Sequence, residues 1–215
     1  MNRYYTSQHP FWKLAKLDDD QPNEDQPDEL KKDQSEAMFM RMLKTRTILL
    51  SGEVNKDLAA RVVRQLLLLE EAGEEPIRMF IDSPGGDADA GYAIFDMIRF
   101  VKPDVYTIGM GLVASAAALI LLAAPKERRI GLPNSHYLIH QPLSGIRGVA
   151  TEIEIHAREL EKLRVKINAL IAEETGQTIE KVEKDTDRDF WMGSTEATEY
   201  GLISRVVATR GELSV

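Results

Sequence analysis

The stretch VYTIGMGLVASAAALILLAA, residues 105–124, carries no formal charge and lies near the middle of the chain. Its first part is rich in β-branched and aromatic residues and predicts a buried strand over 105–110, whereas Ser115 to Ala124 predicts a short helix that Pro125 ends. The run is long enough to span a bilayer. Two glycines and a serine interrupt it, so a strand followed by a buried helix is the favoured interpretation.

The segments upstream of this stretch repeat the same alternation. Strands are predicted over 47–51 and 77–81, and helices from about Leu58 to Gly73 and over 88–101. The first helix is indicated by leucines and valines at helical spacing: Leu58, Val62, Leu66 and Leu69. Strands that alternate with helices through short links imply right-handed crossovers, and therefore an α/β fold with a largely parallel sheet.

Downstream, two short strands are predicted near 128–132 and 136–140, followed by a long helix over 150–175. Thr151 and Glu154 have the spacing of a capping box, and Gly176 stands where the helix would end. One face of this helix is apolar and the other heavily charged. It would therefore either lie on the core or offer a surface to a partner.

The composition excludes several classes of function. The chain has 215 residues, a net charge of −8 and no cysteine. The negative charge argues against nucleic acid as the main partner, and the lack of cysteine excludes disulfides, thiolate zinc sites and a cysteine nucleophile. The first residues contain no apolar run typical of a signal peptide, so a cytoplasmic location is expected.

Ser115 stands at the predicted turn from strand to helix, where a hydroxyl is exposed at the end of a sheet. The first amides of a helix are unpaired donors and could stabilise an oxyanion. The alternative is that Ser115 only caps the helix. The surrounding residues do not form the Gly-x-Ser-x-Gly elbow of α/β-hydrolases.

The turn from Asp82 to Asp87, DSPGGD, also follows a strand and precedes a helix. Its two glycines could turn an amide toward a ligand, or they could simply supply the conformation of a tight turn. It is not a phosphate loop, because no Gly-Lys-Ser/Thr follows.

The chain contains four histidines, of which His9 lies near the start and His156 inside the long charged helix. His136 and His140 face the same way on one short strand, about 13 Å apart, too far to chelate one metal together. Either could be a general base. Spacing alone selects neither of them, nor an orienting carboxylate among the 35 acidic residues.

From about residue 47 to 207 the chain resembles the proteolytic subunit of the Clp protease, a self-compartmentalised serine peptidase. The segments that carry the resemblance are Ile81–Gly86, Ala114-Ser115, Leu132–Ser135, Ile139–Pro142, Thr151–Glu159, Asp185–Asp189 and Glu199–Leu202.

The resemblance implies a role for each matching position. Ser115 would be the nucleophile, His140 the general base and Asp189 the residue that orients it. The backbone amides of Gly86 and Ala116 would form the oxyanion hole. Asp187 and Arg188 would make ion pairs across the interface between two rings.

The implied fold is the Clp protease and crotonase type, a spiral of β-β-α units in which the long helix is a protruding handle. The resemblance divides the chain into an acidic, largely disordered segment (1–45, a propeptide or axial loop), a peptidase domain (46–208) and a tail (209–215). It also implies two stacked seven-membered rings, homomeric or shared with a paralogue, which form a tetradecamer. An AAA+ unfoldase would supply unfolded polypeptides, with no metal, nucleotide cofactor, nucleic acid or membrane involved.

Three departures from the family pattern concern specificity and partners. Ala116 and Ala117 replace the usual Met and Gly after the nucleophile. Arg78 stands where the first of two aromatic residues would meet the ATPase. The N-terminal region, with Glu36–Phe39 in place of Tyr-Asp-Ile-Tyr, does not match the family's gating loop.

Two other functions are weighed against an active peptidase. A structural or regulatory subunit of a mixed ring would not need the Ser, His and Asp positions, all of which this chain retains. A crotonase-like enzyme acting on acyl-CoA would use Gly86 and Ala116 alone, and it also has no need of the three side chains.

Overall fold

The structure is a computed structural model in which residues 38–213 are described. The chain divides into two compact units, Met1–Arg41 and Met42–Val215. Of the first unit only 38–41 is described, and it is helical. The predicted segment 1–45 therefore lies mostly outside the described residues, as do the last two residues of the predicted tail 209–215.

A seven-stranded sheet forms the centre of the second unit. Its main path runs β1-β2-β3-β4-β7 with every pair parallel, while β5 pairs in parallel with the end of β3 and β6 pairs antiparallel to β5. The strands are β1 (Thr47–Ser51), β2 (Ile77–Ser83), β3 (Val105–Ala114), β4 (Arg129–Gly131), β5 (His136–Ile139), β6 (Phe190–Gly193) and β7 (Arg205–Val206). The predicted α/β fold with a largely parallel sheet is confirmed.

Within residues 56–213 of the described part of the chain, six α-helices accompany the sheet, and two 3₁₀ turns lie at Lys126–Arg128 and Arg210–Glu212. The helices are α1 (Lys56–Glu71), α2 (Ala88–Phe100), α3 (Ala116–Leu121), α4 (Ala150–Thr175), α5 (Ile179–Thr186) and α6 (Ser194–Tyr200). The apolar positions predicted for α1 are all buried, and α3 is buried at every residue. Burial of these faces against the strands builds the main hydrophobic core, and a second, smaller cluster contains Ile108, Ile130 and Val207.

Strand β3 extends to Ala114, four residues beyond the predicted end, because the glycines that suggested a break lie inside it. Gly111 has φ +55, and the carboxylate of Asp82 accepts a hydrogen bond from Leu112 N at 3.0 Å. The register with β2 shifts at this bulge. As a result the first half of β3 pairs with β4 and the second half with β5, which carries Ser115 toward β5.

Helix α4 has the predicted bounds but a different N-cap. Its N-cap is Val149, whose N–H is 3.4 Å from Oε2 of Glu152, so the predicted capping box of Thr151 and Glu154 is wrong. The predicted end at Gly176 is confirmed by its left-handed φ of 75°. The buried residues of α4 all belong to its last third, from Ile167 onward, and residues 150–159 are exposed apart from the half-buried His156, so the start of the helix protrudes as a handle.

No helix within residues 38–213 is both long and apolar enough to cross a membrane. The uncharged run 105–124 forms β3 and the buried helix α3 instead, as the favoured interpretation of the sequence predicted.

Candidate active site

Ser115 occupies a strained turn between β3 and α3. Its φ of 57° and ψ of −122° are rarely adopted by a residue with a side chain, and its hydroxyl does not cap the helix. The turn is fixed by hydrogen bonds from Ser115 N to Leu138 O at 2.9 Å and from Ala118 N to Ser115 O at 2.9 Å. Strain of this kind persists where the surrounding structure imposes it, typically at functional sites.

His140 follows directly on β5, the strand that pairs with the end of β3. Because Ala114 is the parallel partner of Leu138, Ser115 leaves β3 beside the residues that precede His140. The imidazole Nε2 lies 2.8 Å from Ser115 Oγ, within hydrogen-bond reach, and the side chain is only 16% exposed. The structure therefore selects His140 from the two histidines that the sequence left open.

Asp189 precedes β6, which runs antiparallel to β5. Ile139 pairs with Phe190, so the next position outward brings His140 and Asp189 opposite each other. Asp189 Oδ1 lies 3.0 Å from His140 Nδ1. The three groups form a continuous relay: in the tautomer with the proton on Nδ1, His140 donates to the Asp189 carboxylate, and Nε2 can accept the proton of Ser115.

Two backbone amides near Ser115 have no acceptor within the part of the chain that the structure describes. Ala116 is the first residue of α3, and Gly86 lies in the turn before α2. Gly85 packs this turn against Ser115, because a Cβ on Gly85 would lie 2.7 Å from Ser115 Cβ and 2.9 Å from Ala116 N. Both unpaired N–H groups thus belong to segments that adjoin Ser115.

A cleft of about 830 Å³ opens beside Ser115 and His140, between the start of helix α2 and helix α4. The buried residues in its wall are all aliphatic: Ala116, Leu119, Ile139, Ile167 and Ile171. The charged residues in its wall are all exposed: Asp87, Asp89, Glu159, Lys162 and Lys166. The cleft thus has an apolar floor and a charged rim, with Ser115 and His140 at its side.

The other histidines stay apart from this relay. His136 is exposed at the start of β5, and His156 is half-buried in α4, where Nε2 lies 2.7 Å from Ser144 Oγ. His9 lies outside the described residues. Asp187 and Arg188 are exposed just beyond α5 and pair loosely, with Nε to Oδ2 at 4.0 Å.

Several contacts that hold the site together cannot be recognised from the sequence. Gln141 N donates to Thr186 O at 2.7 Å and its side-chain amide donates to Asp187 O at 2.6 Å, so the residue after His140 is tied to the segment that carries Asp189. Leu138 supplies the carbonyl that holds Ser115. Backbone acceptors of this kind leave no residue-type signal, because any side chain supplies the same carbonyl.

Residues 38–213 contain no group of three or more His, Cys, Asp or Glu side chains placed to hold a metal ion.

The family model described as Clp protease matches residues 30–210. An ATP-dependent Clp protease proteolytic subunit 2 of Treponema denticola is 66% identical over 85% of this chain and 92% of its own length. The protein of that name from Borreliella burgdorferi is 56% identical over 80% of this chain and 87% of its own length.

One solved structure is similar to this chain in both sequence and fold. It is a point mutant of ClpP1 from Listeria monocytogenes, 48% identical, with a TM-score of 0.78 over 82% of this chain and 99% of that chain. At this identity and coverage the fold class predicted from the resemblance is confirmed.

Proposed function

The chain belongs to the Clp protease family, and we propose that it is a serine endopeptidase subunit with Ser115, His140 and Asp189 as its catalytic triad. The observation that carries the proposal is the relay of 2.8 Å from Ser115 Oγ to His140 Nε2 and 3.0 Å from His140 Nδ1 to Asp189 Oδ1. A serine hydroxyl is a weak nucleophile unless a base in hydrogen-bond reach takes its proton, and this arrangement supplies one.

The proposed reaction proceeds through an acyl-enzyme. Ser115 Oγ attacks the scissile carbonyl while His140 Nε2 accepts its proton and then donates it to the departing amine. Asp189 holds the imidazole in the tautomer with Nδ1–H and stabilises the imidazolium. Water, activated by the same histidine, then releases the acyl product and restores the serine.

The oxyanion of the tetrahedral intermediates would be held by the N–H groups of Gly86 and Ala116. Neither amide has an acceptor among residues 38–213, and both adjoin Ser115. Such preformed donors stabilise the developing charge without reorganisation in the transition state, and one of them typically contributes about 10²–10³ to kcat. Ala116 replaces the larger residue usual in the family, but its amide is retained.

We propose that the subunit assembles into two stacked heptameric rings through helix α4. The protruding part of α4 and the loop before it expose apolar side chains, including Leu143 at 82%, Val149 at 63% and Ile155 at 60%. Exposed apolar surface of this extent is typical of an interface. Arg188, 90% exposed, and Asp187 would exchange ion pairs across the same interface.

A groove of about 370 Å³ on the outer side of β2 is the proposed docking site for the AAA+ ATPase that feeds unfolded polypeptides. Its wall includes Phe80, Leu132 and Leu213, together with Arg78. Arg78 Nη2 donates to Thr45 O at 2.7 Å, which holds the guanidinium beside the groove. The proposed partner therefore meets a cation as well as apolar surface, in the cytoplasm where such ATPases act.

Hydrolysis of an unfolded protein and of a fluorogenic peptide by the purified chain tests the proposal, with native mass spectrometry of the same samples. The wild-type chain is expected to form rings that hydrolyse both substrates, and Ser115→Ala is expected to form the same rings without activity. Wild-type rings that hydrolyse neither substrate, alone or mixed with a paralogue, would instead support a structural or regulatory subunit.

A further inference from the structure

The hydroxyl of Ser83 lies behind the turn that carries Gly86, out of contact with solvent. Ser83 is the last residue of β2, is 1% exposed, and is paired with Val113 of β3. Its Oγ accepts a hydrogen bond from Gly85 N at 3.1 Å. We propose that Ser83 is a positioning residue that aims the Gly86 N–H at the oxyanion; this inference rests on the proposed function.

The turn needs external restraint, because its glycines are conformationally free. Gly85 has φ +87 and Gly86 has φ +147, in a half of φ space that other residues rarely enter. A glycine pair can point its amides in many directions at little cost, and Pro84 fixes only its own φ. The direction of the Gly86 N–H must therefore be fixed by contacts with residues other than the two glycines.

Those contacts hold the peptide groups on both sides of Gly86. Before it, Gly85 N donates to Ser83 Oγ and Gly85 O accepts from Val54 N at 2.8 Å. After it, Asp87 N donates to Val54 O at 2.8 Å. The flanking amides are thus paired, whereas no acceptor within residues 38–213 pairs with Gly86 N–H.

Of these restraints, the Ser83 hydroxyl is the one that a single side-chain change removes. Without it, the buried Gly85 N–H would have no partner, and an unpaired buried donor carries a free-energy penalty. The turn relieves that penalty by rotating the peptide groups around Gly85. Gly86 N–H then leaves its direction toward the oxyanion, while the binding of substrate in the cleft is unchanged.

Kinetics of the full-chain Ser83→Ala variant test this positioning role. We expect kcat to fall by about 10- to 100-fold, which is no more than the loss caused by removing an oxyanion donor. KM should stay within about twofold of the wild-type value. Ser83→Thr, which keeps the hydroxyl, should recover most of kcat. Ser135→Ala is the matched control, because Ser135 is also 1% exposed and hydrogen-bonded, to Leu132 O and the Tyr137 hydroxyl, away from the turn.

A peptide aldehyde separates positioning from a merely structural effect. Its hemiacetal with Ser115 places an oxygen in the oxyanion hole, whereas the corresponding product peptide does not. For Ser83→Ala the inhibition constant of the aldehyde should rise by the same factor as kcat/KM falls, and that of the product peptide should stay the same. Should the Thr variant misfold, this comparison in Ser83→Ala alone decides.

Three outcomes would overturn the inference. Ser83→Ala with wild-type kcat would show that Val54 alone orders the turn, and equal weakening of aldehyde and product peptide would show a general loss of structure. A drop in kcat for Ser135→Ala as large as for Ser83→Ala would also show that the loss of activity is a general effect of removing a buried hydroxyl. If the wild-type chain binds no aldehyde at Ser115 and hydrolyses no peptide, the proposed function fails first, and the inference fails with it.

Discussion

His140 and Asp189 lie opposite each other where the antiparallel strands β5 and β6 meet, with His140 Nδ1 3.0 Å from Asp189 Oδ1. The two residues are 49 positions apart in the chain. Their contact is produced by one strand pairing, and a second pairing, between β3 and β5, brings Ser115 within 2.8 Å of the same imidazole. The proposed triad is therefore a consequence of sheet register.

Replacement of Asp189 by Asn tests the orienting role of this carboxylate. The amide can hold the imidazole in the wrong tautomer, so kcat should fall by up to about 10⁴-fold. The thermal unfolding midpoint should stay close to wild type, because the Asp189 side chain is 60% exposed. Glu183→Gln, an exposed acid on α5, is the matched control. Wild-type kcat in Asp189→Asn would contradict the assignment.

Substitution of Gly86 by Ala tests the turn that carries the proposed oxyanion donor. A Cβ there would lie 2.3 Å from Val54 O, and the φ of +147° is rarely adopted by a residue with a side chain. Activity should fall by about 10² or more, the loss expected for one donor, and the free energy of unfolding by about 1–3 kcal/mol.

Gly211→Ala is the control for that substitution, since nothing lies within 4 Å of its added Cβ and its φ is not positive. Peptide hydrolysis and denaturant unfolding of the two variants are compared. Gly86→Ala that hydrolyses peptide as fast as Gly211→Ala would rule Gly86 out as a donor.

The proposed ring interface predicts an assembly defect in Arg188→Ala. Removal of the guanidinium leaves Asp187 without its counter-charge, so native mass spectrometry should show single rings in place of stacked pairs. Peptide hydrolysis should fall at the same time, because Gln141 links Asp187 O to the segment after His140. Lys184→Ala, on the exposed side of α5, should assemble as wild type. Stacked rings in Arg188→Ala at low protein concentration would argue against this role.

The buried hydroxyl of Tyr137 should make the folded protein less stable as the pH rises into the alkaline range. Burial raises the pKa of Tyr137 to about 12, against a small opposing effect of the Ser135 hydrogen bond. An unfolded chain releases the tyrosine proton near pH 10, whereas the folded chain keeps it until about pH 12, so the free energy of unfolding falls with rising pH in that window.

Tyr137→Phe should make that decline shallower by about 1.4 kcal/mol per pH unit, the value for one proton. Tyr92, with a pKa raised to about 12 chiefly by burial, and Tyr200, with a pKa raised in the same direction, add to the decline in both proteins. Denaturant unfolding of wild type and variant from pH 9 to 12 measures the slopes. Identical slopes would show that Tyr137 ionises equally in both states.

Much of the framework could be predicted from the sequence, because it depends on local periodicity. Apolar spacing located α1 and α4, and Gly176 marked the end of α4. The sequence predicts β3 four residues too short, because glycines interrupt its apolar run. In the structure Gly109 and Gly111 make room for the Tyr137 hydroxyl and the Asp82 carboxylate, contacts that depend on distant residues.

The spacing of residues in the sequence predicts the candidate site less well than it predicts the fold. Ser115 was visible as a serine at a strand-to-helix turn, but nothing local favoured His140 over His136 or Asp189 over the other acids. Those choices came from family resemblance at the sequence level, and in the structure they follow from the β3–β5 and β5–β6 pairings. Ser83 was seen only as part of a turn motif, because its burial behind Gly85 is a tertiary feature.

The most direct test of the central claim, that Ser115 is the nucleophile, is fluorophosphonate labelling followed by intact-mass measurement and peptide mapping. We expect one adduct per wild-type chain, located on Ser115, and no adduct on Ser115→Ala under the same conditions. Labelling of Ser115→Ala at the wild-type rate and extent would contradict it.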